Sequence, residues 1–285
     1  MKKQDICSPH ANLHADKFTC FTSENLHILK DHWNARHPNN MIKSRDDRQI
    51  WEELNIYMKE NLCENEKCWL RKIVHDMNAQ ANIFDESFVP SMPLHWKKKP
   101  RAWLSDLDIS RAMKQYEEAY PNFIFIGPTP IDYDSCNKLE NDWVWPELKF
   151  FDLKKYIYHE PNAHMKIGIV FNLDNHTEGG SHWVALFVDI LNAKIYYFDS
   201  NGDTIPKKIR ALADVIKSQG KDHDMKFTLS TNYPTEHQQE NTECGIYVIF
   251  FLTNMLMKNN WELFKKGSIS DDEIFKYREK YFSKN

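Results

Sequence analysis

The chain has 285 residues, and its 37 Lys and Arg against 41 Asp and Glu give a formal net charge of −4 at pH 7. This balance lacks the excess of positive charge that is typical of proteins whose main ligand is nucleic acid. No apolar run is long enough to span a membrane, and the start "MKKQDICSPHANLH" lacks the apolar core of a signal peptide. These features predict an intracellular protein with no membrane partner, and they argue against nucleic acid as its main ligand.

Six cysteines are too few in a chain of this length for a disulfide scaffold, and a reducing compartment is expected to keep them as thiols. Two groups of cysteine and histidine raise the question of zinc: Cys63, Cys68 and His75, and Cys7, His10, His14 and Cys20. Neither group has the pair-plus-pair spacing of a structural zinc site, so no metal is expected. The sequence also lacks a phosphate-binding glycine loop and a dinucleotide fingerprint, so no cofactor is expected.

A change in composition divides the chain near residue 95. The stretch "FVPSMPLHWKKKPRAW" combines three prolines with a basic cluster of Lys97, Lys98, Lys99 and Arg101. It predicts a mainly helical N-terminal arm domain over residues 1–95 and a second domain over residues 96–285. The basic cluster is expected to be a solvated linker face; the alternative is a contact with an acidic partner, or with nucleic acid as a modulator of activity.

Two amphipathic helices are predicted on either side of this boundary. In the arm, "DDRQIWEELNIYMKENL" places Ile50, Leu54 and Tyr57 on one helical face. In the second domain, "SDLDISRAMKQYEEAYP" begins with Ser105 and Asp108 in the spacing of a capping box, which predicts a helix from that point.

The period then changes to that of strands. Four short segments rich in Val, Ile, Phe and Tyr predict strands: "MKIGIVFNL", "HWVALFVDI", "KIYYFD" and "MKFTLS". Between the third and the fourth, "PKKIRALADVIKSQG" predicts a helix. Finally, "CGIYVIFFLTNMLM" is apolar on nearly every face and too long for a typical strand, so we expect a helix buried on all sides. The second domain is therefore predicted to be α+β with a central helix.

Cys244 stands at the start of that buried helix. The unpaired amides of a helix's first turn stabilise an anion, and a thiolate is such an anion. A helix N-terminus and a nearby imidazolium are two environments that turn a cysteine into a nucleophile at neutral pH. Gly245, which follows, is expected to let another part of the backbone approach closely. The alternative is that Cys244 is a packing residue, since free cysteine is commonly buried.

His182 is the candidate base. It stands where the strand "HWVALFVDI" begins, and Asp199 stands where the strand "KIYYFD" ends. If the two strands form a hairpin that turns around Leu191 to Ala193, residue 182 pairs with roughly residue 200, to within about two residues. His182 and Asp199 then meet at the open end of the hairpin, where the carboxylate can orient the ring. The alternative is that Asp199 belongs only to the turn "DSNG".

Gln238, six residues before Cys244, is the candidate for stabilising an oxyanion. It lies in the polar loop that leads to the buried helix, so its side-chain amide could point to the same place as the backbone N–H of Cys244. Gln239 beside it is the competing assignment.

These four residues together resemble the active site of the clan of ubiquitin-like-protein proteases, which includes the SUMO proteases and the adenovirus protease. "HW" before a strand, Asp199 seventeen residues later and Q-x5-C-G before an apolar helix carry the resemblance. It implies a papain-like α+β fold with a mixed central sheet and a buried nucleophile helix. It also implies a catalytic triad of Cys244, His182 and Asp199, with Gln238 in the oxyanion hole.

The segment "WLSDLDI" resembles the Trp-Leu-Asn-Asp segment that opens the SUMO protease catalytic domain. By this resemblance Trp103 and Trp183 would roof a tunnel for a Gly-Gly tail, and Asp106 would also contact substrate. A slot between two indoles selects glycine because a Cβ does not fit. This sequence has Ser105 where the family has Asn, which leaves the contacts at that corner open.

Within the clan the chain most resembles the polyprotein-processing proteases of large DNA viruses, of the African swine fever virus type. "HWVAxFVD", "HQ…TECG" and a helical arm containing "CENEKCW" carry this likeness. It implies a cysteine endopeptidase that cleaves after Gly-Gly in viral structural polyproteins during virion maturation. It also implies action at assembly sites in the host cytoplasm and packaging in the virion. The alternatives are a deconjugating isopeptidase for SUMO or ubiquitin and a catalytically silent binding module.

Overall fold

The computed structural model describes residues 5–137, 142–158 and 166–284. The chain forms two compact units, one of Met1–Met92 with Glu279–Asn285 and the other of Pro93–Arg278. The division into an arm domain and a catalytic domain near residue 95 stays a prediction. Among the helices of the described ranges, none combines the length with the apolar character that a membrane crossing requires.

The described part of the first unit contains five α-helices and an apolar core. In chain order they are α1 (Pro9–His14), α2 (Ser23–Asn34), α3 (Asp47–Glu60), α4 (Glu66–Ile73) and α5 (Met77–Ser87). The predicted amphipathic helix is confirmed as α3: Ile50 and Leu54 are fully buried, and Tyr57 stacks on Trp33 with ring centroids 4.9 Å apart. The same core contains residues of α2 and α4, so each helix is held mainly by its apolar face.

Four of the six cysteines form disulfides in this unit, which contradicts the expectation that all six remain thiols. Cys7 is bonded to Cys20 and Cys63 to Cys68. The first bond closes the segment that carries the six-residue helix α1, and the second joins the end of α3 to α4. Helices this short are marginal on their own, so cross-links between them restrict the unfolded chain and stabilise the unit.

The second unit contains a five-stranded mixed sheet. Its helices are α6 (Asp106–Ala119), α7 (Pro146–Lys149), α8 (Lys154–Ile157), α9 (Lys207–Lys221), α10 (Cys244–Lys258), α11 (Trp261–Lys266) and α12 (Asp271–Tyr281), of which α12 belongs to this unit as far as Arg278. Its strands are β1 (Phe123–Pro130), β2 (Cys136–Asn137), β3 (Asp142–Trp143), β4 (Lys166–Asn172), β5 (Trp183–Asp189), β6 (Lys194–Phe198) and β7 (Thr228–Thr231). The sheet order is β1-β4-β5-β6-β7, and β2 pairs with β3 separately.

The sheet combines two kinds of pairing. The three central strands, β4, β5 and β6, are antiparallel neighbours, whereas β1 pairs parallel with β4 and β7 parallel with β6. The four predicted strands are confirmed as β4 to β7. Strand β1 was not predicted, because its sequence "FIFIGPTP" contains two prolines, and proline is confined to sheet edges. β1 is such an edge strand.

Helix α10 lies against β5 and α6, and every residue from Cys244 to Leu256 is buried. This confirms the prediction of a helix buried on all sides. Another apolar cluster of this unit includes Ile209, Leu212 and Ile216 of α9. The predicted helix in "PKKIRALADVIKSQG" and its apolar stripe are thereby confirmed. The capping box at Ser105 and Asp108 is also confirmed. Because core contacts surround α10, the position of its first residue is fixed relative to the sheet.

The basic cluster is not entirely a solvated face. Lys97, Lys98 and Lys99 are exposed, as expected. Arg101 instead donates to the carboxylates of Glu240, at 3.0 Å, and Asp272, at 2.7 Å. The expectation of a solvated linker is therefore wrong for Arg101, because its charge forms ion pairs within the second unit.

The disulfides can be tested by counting thiols. Iodoacetamide under denaturing, non-reducing conditions is expected to modify two cysteines, Cys136 and Cys244, which are the free ones. After reduction all six should react, and mass spectrometry distinguishes the two results. Cys63→Ser is the matched control, because it releases Cys68 and adds one reactive thiol. Six modified cysteines without a reductant would contradict the structure.

Candidate active site

The hairpin of β5 and β6 brings His182 and Asp199 together. Its register pairs Ala185 with Phe198, which extends to a pairing of residue 182 with residue 201. The sequence predicted residue 200, so the predicted register is confirmed within its stated margin. The Nε2 atom of His182 lies 2.7 Å from Oδ1 of Asp199. Both side chains are largely withdrawn from solvent, with 9% of His182 and none of Asp199 exposed.

Asp199 is held by its own loop and by a residue that the sequence analysis missed. The N–H of Asn201 donates to Oδ1 of Asp199 at 2.9 Å, and the N–H of Gly202 donates to its carbonyl at 3.0 Å. Asn232 clamps the backbone of Asp199: its Oδ1 accepts from the Asp199 N–H at 2.9 Å and its Nδ2 donates to the Asp199 carbonyl at 2.7 Å. Asp199 is therefore both a turn residue and the partner of His182.

His182 also makes a hydrogen bond with Cys244. Because Nε2 of His182 faces Asp199, the other ring nitrogen, Nδ1, makes the hydrogen bond with Cys244. Burial disfavours the charged ring, but the hydrogen bonds to Asp199 and Cys244 and the negative charges beside it outweigh burial and raise the His182 pKa to about 10. The ring is thus protonated at neutral pH, and it stands between the carboxylate of Asp199 and the sulfur of Cys244.

Cys244 is the first residue of α10, as predicted, and only 4% of it is exposed. Its sulfur is therefore close to the unpaired amides of the first helical turn, which stabilise an anion there. A Cβ on Gly245 would lie 2.8 Å from the Cβ of Leu104. The close approach predicted at Gly245 thus occurs, but it involves the Leu104 side chain rather than a backbone.

Gln238 is buried beside the loop that carries Asp199. The hydroxyl of Ser200 donates to Oε1 of Gln238 at 2.8 Å, and Nε2 of Gln238 donates to the carbonyl of Glu240 at 2.5 Å. A primary amide has two N–H donors, so a second one remains for a substrate oxygen. Gln239, the competing residue, is exposed. The structure thus distinguishes the two glutamines by burial and by their partners.

A cleft of about 590 Å³ leads to Cys244, and its lining includes Trp103, Trp183 and Asp106. Both indoles are fixed by hydrogen bonds: Nε1 of Trp103 donates to the carbonyl of Asn241 at 2.6 Å, and Nε1 of Trp183 donates to that of Leu104 at 3.2 Å. Trp103 is still 47% exposed, so one side of its ring remains available. The structure places these three predicted residues in one cleft with the thiol.

Two of the supporting residues, Asn232 and Ser200, carried no signal that the sequence analysis could use. Asn232 lies in the loop after β7 and precedes Tyr233-Pro234, so its sequence context indicates only a turn. Ser200 lies within the turn "DSNG", a context that indicates only a turn. Their role depends on contacts 33 and 38 residues away along the chain, which no local period reveals.

Asp199→Asn keeps the volume of the side chain and removes its charge. We expect the His182 pKa to fall from about 10 towards its ordinary value of 6.5, because the carboxylate that stabilises the imidazolium is lost. An NMR titration of the ring-carbon signal, assigned with a His182→Gln variant, measures the change. Asp203→Asn, which removes an exposed carboxylate on the same loop, is the control. A His182 pKa that stays near 10 in Asp199→Asn contradicts the prediction.

Comparisons with known proteins identify the family of this chain. Residues 108–285 match the Ulp1 protease family, C-terminal catalytic domain. A thiol protease of Acanthamoeba polyphaga mimivirus is 32% identical over 228 residues, which cover 78% of this chain and 68% of that protein. The SUMO-1 cysteine protease of African swine fever virus (isolate Pig/Kenya/KEN-50/1950) is 27% identical over 250 residues, which cover 82% of this chain and 89% of that protein.

The fold is also that of a solved structure. The crystal structure of an African swine fever virus protease superimposes with a TM-score of 0.71 at 21% identity, and the match covers 100% of this chain and 98% of that one. The predicted fold class, an α+β cysteine protease fold with a mixed sheet and a buried nucleophile helix, is confirmed. The chain therefore belongs to the Ulp1 protease family and is a cysteine protease.

Proposed function

We propose that this protease is an endopeptidase that cleaves after Gly-Gly in viral structural polyproteins during virion maturation. One observation carries the specificity: among the residues that line the cleft leading to Cys244, Trp103 and Trp183 each have their indole fixed by a hydrogen bond from its own nitrogen. The similarity to viral cysteine proteases supports the viral setting.

Cys244 is the proposed nucleophile. Its thiolate attacks the carbonyl carbon of the glycine before the cleaved bond, and a carbon–sulfur bond forms while the carbonyl oxygen becomes an oxyanion. When the intermediate collapses, the C–N bond breaks and Nδ1 of His182 gives its proton to the leaving amine. A water molecule, deprotonated by the now neutral His182, then releases the acyl group and restores the thiolate. The contact between His182 and Cys244 supports both proton transfers.

Asp199 is proposed to orient His182 and to keep it protonated before attack. The 2.7 Å contact fixes the ring so that Nδ1 faces the thiol. Because the His182 pKa is raised to about 10, the imidazolium persists through neutral pH and is lost only as the pH rises towards that value. The ion pair between protonated His182 and Asp199 is therefore expected throughout the neutral pH range.

Gln238 and the backbone N–H of Cys244 are proposed to stabilise the oxyanion. Donors aimed at the position where charge develops are commonly the largest single contribution to acyl transfer. Burial of Gln238 and its bonds to Ser200 and Glu240 support this role, because they leave the side chain few orientations. Fixed donors need no reorganisation when the charge appears.

Trp103 and Trp183 are proposed to select glycine at the two positions before the cleaved bond. A Cβ between two indole faces would clash, whereas glycine brings only backbone atoms. Asp106 lines the same cleft and is exposed, so we propose that it contacts substrate near the entrance.

The second candidate is deconjugation of a ubiquitin-like modifier. The African swine fever virus relative carries SUMO-1 in its name, and the same catalytic residues would serve either reaction. A folded modifier would need a broad docking surface in addition to the cleft. A silent binding module is disfavoured by the intact arrangement of Cys244, His182 and Asp199.

We further propose that the protease acts at assembly sites in the host cytoplasm and is packaged in the virion. Disulfides are uncommon in a reducing cytoplasm, so the two disulfides of the first unit favour the virion as the place where the oxidised form persists. The first unit is proposed to be the arm domain.

The proposed reaction is tested with a short peptide that contains Gly-Gly-Xaa, offered in parallel with folded SUMO and ubiquitin fusions. We expect cleavage of the peptide after the second glycine and none by Cys244→Ala, because that variant lacks the nucleophile. Mass spectrometry identifies the cleaved bond. Cys136→Ser, which removes the other free thiol, is the matched control and should retain activity.

Cleavage of the folded fusions alone would favour the deconjugating candidate over the polyprotein protease. Cleavage of the peptide by Cys244→Ala would contradict the assignment of the nucleophile.

Glycine selection is tested separately with Trp103→Ala. Wild-type protein is expected to prefer a Gly-Gly peptide over its Gly-Ala counterpart by roughly 10- to 100-fold in kcat/KM, since one extra methyl group in a tight site typically gives discrimination of that order. Trp103→Ala should reduce this ratio towards one, because one wall of the slot is removed. Trp143→Ala, a tryptophan outside the cleft lining, is the control. An unchanged ratio in Trp103→Ala would refute the indole slot.

A further inference from the structure

The loop that precedes Cys244 is held by buried charges from the last helix. We call residues 237–243 the nucleophile loop; it contains Gln238 and has no helix or strand of its own. Two residues of α12 contact it, Asp271 and Arg278, and both are buried, with 7% and 2% of their surfaces exposed. Neither residue was singled out from the sequence, and neither has a part in the chemistry described above.

Asp271 holds the middle of the nucleophile loop. Its Oδ2 accepts from the N–H groups of Gln239 and Glu240, at 2.9 and 2.7 Å. Its Oδ1 accepts from the hydroxyl of Tyr247 in α10 at 3.0 Å. One carboxylate therefore satisfies two successive loop amides and joins them to the helix that carries the nucleophile. Hydrogen bonds to a charged acceptor are stronger than neutral ones, so this contact restricts the loop effectively.

Arg278 holds the end of the nucleophile loop. Its Nε donates to Oε2 of Glu243 at 2.8 Å, and its Nη2 donates to the carbonyl of Thr242 at 3.4 Å. Glu243 is fully buried and directly precedes Cys244. The guanidinium lies 4.5 Å from the ring centroid of Trp96, which packs against its face. A buried ion pair of this kind has a defined geometry because each charge depends on the other.

The two anchors lie on one face of a rigid element. Asp271 and Arg278 are seven residues apart, which is about two helical turns and about 10 Å along the axis. Between their contact points lies Asn241, whose carbonyl accepts from Trp103. The carbonyl of Glu240 also accepts from Gln238. Movement of either anchor would therefore displace a wall of the cleft and the proposed oxyanion donor together.

We propose that Asp271 and Arg278 are positioning residues for catalysis, which act through the nucleophile loop to hold Gln238 and Cys244 in their reactive arrangement. This inference rests on the catalytic roles proposed for Gln238 and Cys244. Arg278 has a second effect, since it neutralises the carboxylate of Glu243. Without it, an unpaired buried negative charge would stand beside Cys244 and oppose the thiolate.

The first experiment measures kcat and KM for a Gly-Gly peptide. Asp271→Ala and Arg278→Met are expected to lower kcat by roughly 10- to 100-fold with KM changed little, because small misplacements of reacting groups cost rates of this order. Asp271→Asn keeps an acceptor for the loop amides and should retain more activity than Asp271→Ala. Arg278→Lys keeps the charge and should retain more than Arg278→Met. The exposed residues Glu273 and Lys276 of the same helix supply the matched controls Glu273→Gln and Lys276→Met.

The second readout needs no peptide: the rate at which iodoacetamide modifies native Cys244 at neutral pH. Arg278→Met should slow this reaction, and the double variant Glu243→Gln/Arg278→Met should restore it, because the unpaired charge is then removed. If Arg278 had a purely structural role, the double variant would not recover its rate of alkylation. Circular dichroism is the control that shows whether each variant is folded.

Wild-type kcat in folded Asp271→Ala and Arg278→Met, or a change in KM alone, would overturn the inference. So would equal losses in the two controls, or failure of the double variant to recover its rate of alkylation. If wild-type protein cleaves no Gly-Gly peptide, the proposed substrate is wrong, while the alkylation rates still decide the role of Arg278.

Discussion

The hydrogen bond between His182 and Asp199 is the contact on which the remainder of the site depends. Asp199 is fully buried, and a buried carboxylate is costly unless charged or polar groups surround it. His182 supplies the opposite charge, and backbone and Asn232 contacts hold the residue in place. Since His182 and Asp199 flank the two strands of one hairpin, the register of β5 and β6 determines whether they meet. A one-residue slip of either strand would also exchange its two faces, and because both faces are buried, each side chain would meet a space shaped for another. The packing of the sheet therefore enforces the geometry of the site.

The second constraint is the burial of α10. A helix with apolar contacts on every side cannot shift along its axis without losing packing. Cys244 at its first residue is thus fixed from behind by the core, while the nucleophile loop in front of it is exposed from Gln239 to Asn241. The buried charged side chains of Asp271 and Arg278 hold this loop in position, as apolar packing holds α10. Buried ion pairs add little net stability compared with apolar contacts, so their use here is better explained by the defined geometry that they impose.

The sequence was sufficient for features that arise from local patterns. The capping box at Ser105, the hairpin that joins His182 to Asp199 and the buried helix after Cys244 all follow from spacing, apolar period and turn chemistry. Strand β1 was missed because its prolines mask a parallel edge strand. The disulfide between Cys7 and Cys20 was missed because composition and compartment argued for thiols, and pairing depends on the approach of segments that the sequence does not place.

The supporting residues of the site were missed for a different reason. Asn232 contacts Asp199, which lies 33 residues away along the chain. Asp271 contacts loop amides 31 and 32 residues away, and Arg278 contacts Glu243 at a separation of 35 residues. Their sequence contexts are an ordinary turn and an ordinary charged helix. A charged residue in an amphipathic helix is normally assigned to the solvent face, and only the tertiary arrangement shows that these two are buried. Sequence reasoning thus finds residues that belong to a motif more readily than residues that hold a loop through tertiary contacts.

This asymmetry bears on what similarity to relatives can establish. A TM-score of 0.71 at 21% identity shows that the fold tolerates many substitutions, as expected where apolar residues of similar volume replace one another. The strands and α10 that bring Cys244, His182 and Asp199 together are such apolar elements. The cleft walls at Trp103 and Trp183 are fixed instead by single hydrogen bonds to loop carbonyls. Such contacts change with a loop's length or sequence, whereas the sheet does not. Substrate preference can therefore diverge between relatives while the fold and the catalytic arrangement stay the same.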